Sequence, residues 1–156
     1  MKIKHYILSI LGLLGLLGIF YWLFRKEKKW LFPIKGGKIT SKFGPRKHPI
    51  TNVISFHNGI DIAAPTGTPI IAPYDGKVIN IYTNSKGGKS MIIQTNDGYL
   101  TGYAHLKSYE VKKDDKVKRG QKIAEVGITG AITGPHLHFT VSDLKGNKID
   151  PEEMFK

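Results

Sequence analysis

From Leu31 onward the sequence predicts an all-β domain, preceded by a single membrane-spanning helix. The apolar runs past residue 30 are short, and Gly and Pro break them at close intervals (18 Gly and 8 Pro in 156 residues). No stretch there carries the i, i+3, i+4 apolar spacing of a long amphipathic helix. Ahead of that region lies Tyr6–Phe24, nineteen residues without a formal charge.

At 1.5 Å per residue the uncharged run reaches about 28 Å as a helix, enough for a hydrocarbon core of about 30 Å. Tyr6, Tyr21 and Trp22 sit near its ends, where interfacial aromatics belong. A cleaved signal peptide is the competing reading, but no small-x-small cleavage site follows; the chain runs into bulky aromatics and then charge. Residues 1–30 are therefore expected to form an anchor with a basic flank, and residues 31–156 a domain held close to the bilayer. Two Lys precede the span and four Lys/Arg follow it, a count that mildly favours a cytoplasmic C-terminus.

The net charge is +12. Residues 1–30 hold six Lys/Arg against one Glu, leaving eighteen against eleven for the rest. A basic domain suits an anionic partner, and charge alone does not choose among nucleic acid, lipid head groups and acidic wall polymers. With no cysteine, disulfides and thiolate metal sites are excluded.

The domain opens with a Pro- and Gly-rich stretch through Gly59, in which His48 reads as an exposed loop histidine without a role. His57 and Asp61 follow, four residues apart around Gly59. In a strand or on a helix this spacing puts both side chains on one face, so imidazole and carboxylate can converge on a divalent metal. An Asp that only orients a buried His is the plainer reading of the pair. Lys77–Tyr82 and Ser90–Thr95 read as strands divided by the NSKGGK turn, and Asn96-Asp97-Gly98 is a further hairpin signal. Tyr99–Leu106 reads as one strand with His105 on the face of Thr101 and Tyr103. Glu110–Lys122 is polar, Ile123–Val126 is a short strand, and Asp150–Lys156 reads as a surface tail.

Gly127–Phe139, GITGAITGPHLHF, carries the strongest chemical signal. His136 and His138 share a face of an apolar strand through Val141, roughly 6.5–7 Å apart. One imidazole can ligate a metal while the other reaches a bound water or the substrate. Taken alone, they are equally two polar residues on a solvated strand face. Past residue 30 there are five histidines, and four of them, His57, His105, His136 and His138, lie in apolar contexts beside turns. With Asp61 they supply three ligands for a catalytic zinc site and two helpers. Spacing does not say which of His136 and His138 holds the metal.

These residues closely resemble the zinc metallopeptidases of the lysostaphin and LytM type, the M23 peptidoglycan endopeptidases. The resemblance covers about residues 34–142 and rests on SKFGPR (41–46), HNGIDIAAPTGTPIIAPYDGKV (57–78), GYAHL (102–106), VKRGQKIAEVG (117–127) and TGPHLHF (133–139). It implies antiparallel β-sheets in a LytM-like β-roll, with Zn2+ held by His57, Asp61 and His138 and with His105 and His136 as catalytic histidines. The implied substrate is peptidoglycan, cut at its stem peptides or cross-bridges, and no nucleic-acid partner is expected. A wall-cutting domain must face the wall, so the resemblance implies a single-pass bacterial membrane protein with its C-terminus outside, or a phage lysin. That orientation runs against the charge count. The chain departs from the family at Thr140, where Glu often follows HLHF, and at Asn58, where a basic residue is common. Arg46 matches the family's GxR and reads as structural. The alternative is a non-catalytic envelope or phage protein, since APYDGKV and VKRGQKIAEVG also resemble the half-barrels of biotinyl and lipoyl carriers.

Overall fold

The computed structural model describes residues 29–47 and 54–156. The expected span at residues 6–24 and His48 lie outside the described residues. Among those described, no helix is long and apolar enough to cross a membrane.

The domain is built from antiparallel strands, with a single turn of 3-10 helix at its end. In chain order the strands are β1 (Lys38–Ser41), β2 (Gly44–Lys47), β3 (Ile54–His57), β4 (Ile60–Ala63), β5 (Pro69–Ile71), β6 (Gly76–Asn84) and β7 (Gly88–Thr95). They continue with β8 (Tyr99–Ala104), β9 (Leu106–Tyr109), β10 (Lys116–Val117), β11 (Lys122–Val126), β12 (His136–Asp143) and β13 (Lys148–Ile149), and the helix follows at Pro151–Phe155. The large sheet has the order β1-β4-β12-β8-β7-β6-β10, with β13 also paired to β12. A second sheet runs β5-β11-β9, and β2 and β3 form a separate hairpin.

Alternation along the central strands separates two faces. The register sets Phe139 opposite both Ile60 and Tyr103, Tyr103 opposite Met91, and Leu137 opposite Ile62. All of these are buried, and they form the main core layer with Val78, Ile93 and Val141. Ile70, Leu106, Ile123 and Val126 of the second sheet belong to the same cluster. Hydroxyls inside it are paired: Tyr103 donates to Thr101 Oγ1 at 3.1 Å, and Thr101 donates to the Ile93 carbonyl at 3.2 Å. The opposite face of β4, β12 and β8 carries Asp61, His136, His138 and Thr140, and it floors an open groove.

Both ends of the described region are tied into this body. Trp30 is buried and lies 5.9 Å from the Tyr74 ring and 5.8 Å from the Tyr99 ring, and its indole N–H donates to Asp97 Oδ2 at 2.8 Å. Leu31 N–H donates to the Pro73 carbonyl at 3.0 Å, and Arg119 Nε donates to the Lys29 carbonyl at 2.7 Å. The expected surface tail is instead docked. Asp150 caps the 3-10 turn by accepting from Glu152 N–H at 3.0 Å, and Phe155 sits 5.2 Å from Phe32 and 6.1 Å from Phe139. Met154 and Phe155 supply apolar surface that the polar residues around them obscured in the sequence.

Gly59 is required by close approach. A Cβ there would lie 2.3 Å from the Phe139 carbonyl oxygen, in the turn that joins β3 to β4. At Gly134, by contrast, an added Cβ meets nothing within 4 Å. Gly59→Ala is therefore expected to destabilise the domain by about 1–3 kcal/mol through overpacking against backbone. Gly134→Ala should stay within about 0.5 kcal/mol of the parent. Urea unfolding of both variants measures the contrast.

Candidate metal centre

Three different strands deliver the ligand atoms. His57 ends β3, Asp61 lies in β4 just beyond the Asn58-Gly59 turn, and His138 in β12 pairs directly opposite Asp61. Across this cluster His57 Nε2 is 3.1 Å from His138 Nδ1 and 3.2 Å from Asp61 Oδ1, and His138 Nδ1 is 2.8 Å from Asp61 Oδ1. Tetrahedral zinc with bonds of 2.0–2.1 Å sets its ligands about 3.3 Å apart. Two imidazole nitrogens and a carboxylate oxygen at these separations make a donor set that fits such an ion.

Each member is held by groups that do not face the ligand cluster. His57 is 6% exposed, and its Nδ1 is 2.8 Å from the Lys42 carbonyl oxygen. That oxygen can only accept, so it holds the Nδ1 proton and leaves Nε2 as the nitrogen available to a metal. Burial alone would raise the Asp61 pKa, but hydrogen bonds and charge from His138 and His57 outweigh it and hold the carboxyl far below the ordinary carboxylate range. Arg46 Nη2 lies 3.4 Å from the other carboxylate oxygen, Oδ2. Asp61 is therefore an anion with Oδ1 turned to the cluster and Oδ2 to the guanidinium.

His105 and His136 stand beside this cluster, their ring centroids 4.8 Å apart. His105 lies 6.2 Å from the His138 ring, and His136 Nε2 is 3.8 Å from Asp61 Oδ1. In each ring Nδ1 faces a backbone carbonyl, Thr129 O for His105 and Gly134 O for His136, both at 2.9 Å. Each neutral ring therefore keeps Nε2 free as an acceptor. Burial pushes the His105 pKa down; the Thr129 carbonyl opposes that shift, and the neighbouring His136 and His138 add to it.

The structure corrects the expected strand at Tyr99–Leu106. That run breaks at His105, which has φ 66° and separates β8 from β9. His105 therefore does not sit on a strand face with Thr101 and Tyr103. A non-glycine residue in this conformation costs about 1–3 kcal/mol and persists only where its surroundings hold it. Thr129 does much of that work, since its carbonyl takes the ring and its hydroxyl donates to the Leu106 carbonyl at 2.9 Å. Gly127 lets the strand pass close by, as a Cβ there would lie 2.4 Å from Lys107 N.

All five sequence-derived residues line one groove of about 690 Å3, together with Arg46, Phe56, Asn58, Tyr82 and Ile132. Sequence reasoning missed two contacts to the ligands. Arg46, read as structural, touches Asp61, and Asn58 touches His138. The GxR match flagged the first, and the departure from the family's basic residue after His57 flagged the second.

Residues 55–151 match the model of Peptidase family M23. Among curated proteins, the peptidoglycan DD-endopeptidase ShyB of Vibrio cholerae is 50% identical over 105 residues, 67% of this chain and 25% of ShyB. Among solved structures, a zinc-containing peptidase from Vibrio cholerae superposes with TM-score 0.73 at 43% identity, covering 83% of this chain and 40% of that one. The catalytic domain of lysostaphin from Staphylococcus simulans superposes with TM-score 0.69 at 33% identity, covering 77% of this chain and 92% of that domain. The chain spans about a quarter to a third of the length of the curated relatives it matches.

Two classes of variant should separate in metal binding. His57→Ala, Asp61→Ala and His138→Ala each remove one of three donors and are expected to lower zinc affinity by at least about 100-fold. His105→Asn and His136→Asn leave the donors intact and should bind within about threefold of the parent. Competition against a chromophoric chelator gives the affinities.

Proposed function

Because the chain belongs to peptidase family M23, we propose that it is a zinc endopeptidase that hydrolyses peptide bonds in the stem peptides or cross-bridges of peptidoglycan. The observation that carries this reading is the convergence of His57, Asp61 and His138 on one point, with His105 and His136 alongside. Peptidoglycan is the substrate named for the curated relatives, and the groove that holds the five residues is open.

His57 Nε2, Asp61 Oδ1 and His138 Nδ1 would hold the zinc. The bound ion supplies a Lewis acid that polarises a carbonyl and acidifies a water. Arg46 holds the second Asp61 oxygen, which leaves Oδ1 as a single donor. His105 and His136, each with Nδ1 committed to a carbonyl, both offer Nε2 to a proton. A pair that carries one proton supplies an acceptor for the attacking water and a donor for the oxygen on which negative charge develops. No carboxylate general base lies among the groove residues, where Asp61 is the sole acid.

The cellular placement is part of the same proposal. Residues 6–24 would anchor the protein in the bacterial membrane, with residues 31–156 as the peptidase domain on the wall-facing side. The uncharged run supports the anchor, and the location of the substrate supports the orientation.

The deciding experiment incubates the zinc-loaded protein with purified walls of several cross-link types and follows newly released amino groups. Hydrolysis that stops on chelation and returns with zinc is expected; zinc uptake without hydrolysis of any wall would move the protein to a binding role. His105→Asn, chosen because Asn tolerates the left-handed backbone at this position, should lower kcat by about 10²–10⁴-fold while zinc stays bound. Since burial lowers the His105 pKa, its Nε2 is lost to protonation only below the ordinary imidazole value of about 6.5. The acid limb of kcat/KM should have its midpoint below that value, and a midpoint at or above it removes His105 from the acceptor role.

A further inference from the structure

The two histidine ligands present opposite nitrogens to the cluster. His57 offers Nε2 and His138 offers Nδ1. Imidazole ligates a metal only through an unprotonated nitrogen, so each ring needs its proton parked on the other one. For His57 the Lys42 backbone carbonyl does this at 2.8 Å, an acceptor that no substitution can delete. For His138 the facing group is the Asn58 side chain, with Oδ1 3.1 Å from Nε2. An amide oxygen only accepts, so this contact holds a proton on Nε2 and leaves Nδ1, 2.8 Å from Asp61 Oδ1, as the nitrogen that a metal would take.

Asn58 is well placed to hold this geometry although its own surface is exposed. It sits between His57 and Gly59, and the glycine packs against the Phe139 carbonyl, one residue from His138. One tight turn thus supplies a ligand, His57, and the hydrogen-bond acceptor for another, His138.

We propose that Asn58 is a positioning residue that fixes His138 in the Nε2–H tautomer and so makes Nδ1 the metal ligand. The proposal rests on the reading of His57, Asp61 and His138 as the ligands, and it assigns to this chain's own Asn58 a role at the metal that the ligand set does not include. The acceptor oxygen matters, not the amide NH2, and a carboxylate of the same shape serves the same end.

The test compares near-isosteric replacements in the full-length protein. Asn58→Leu and Asn58→Ala remove the acceptor, and Asn58→Asp keeps it. Zinc affinity is measured by chelator competition at fixed pH, and the thermal midpoint of the zinc-free protein controls for damage to the fold. Loss of the acceptor should weaken zinc binding by about 10–100-fold without moving that midpoint, and Asn58→Asp should bind zinc at least as tightly as the parent. Parent-like zinc affinity in both Asn58→Leu and Asn58→Ala overturns the proposal, as does an Asn58→Asp variant as weak as they are. A parent that takes up no zinc would instead overturn the ligand reading beneath it.

Discussion

The pairing of β4 with β12, in the register that sets His138 opposite Asp61, is the constraint on which the rest of the molecule depends. The same register places Ile60 opposite Phe139 and Ile62 opposite Leu137 on the other face, all four fully buried. Core and site are thus two faces of one ladder. Strand side chains alternate with period two, so a slip of one residue would turn the imidazole into the core and the phenyl ring into the groove. The burial of four large apolar side chains, each worth about 1.5–3 kcal/mol, therefore fixes the position of the ligands far more firmly than the ligands could fix themselves.

The electrostatics of the site follow from how few acids it holds. Asp61 is the sole carboxylate among the groove residues, and Arg46 and two imidazoles surround it. A lone anion so surrounded stays ionised without outside help, and its charge leaves a divalent ion only partly neutralised. His105 is the strained member, at φ 66°. Its backbone conformation is retained at a place where a glycine would be more comfortable, and the imidazole beside the ligand cluster is the evident return on that strain.

Much of this was legible in the sequence because the informative spacings are short. The i, i+2 histidines obey strand periodicity and share the expected face, whereas the i, i+4 His57–Asp61 pair converges across the turn between β3 and β4. The all-β class followed from turn residues between short apolar runs. What stayed hidden depends on contacts distant in sequence or on single backbone angles. Tyr99–Leu106 reads as one strand because Thr101, Tyr103 and His105 alternate correctly; the break at His105 comes from Thr129, 24 residues away. Arg46 and Asn58 reach the ligands from 15 and 80 residues off, separations that carry no pattern in a single chain. Phe155 docks through rings contributed by Phe32 and Phe139, so a seemingly polar tail closes the core.

The seat of Trp30 has a mechanical consequence. The tryptophan rests on Tyr99 at one end of β8, while His105 follows the other end, about 17 Å along the strand. Tension applied at Lys29 would run into Pro73, Arg119 and the Trp30–Tyr74–Tyr99 cluster, none of which lines the groove. Force entering there would reach β12 by way of β8, whose Tyr99 pairs with Asp143, at the end of β12 remote from His136 and His138.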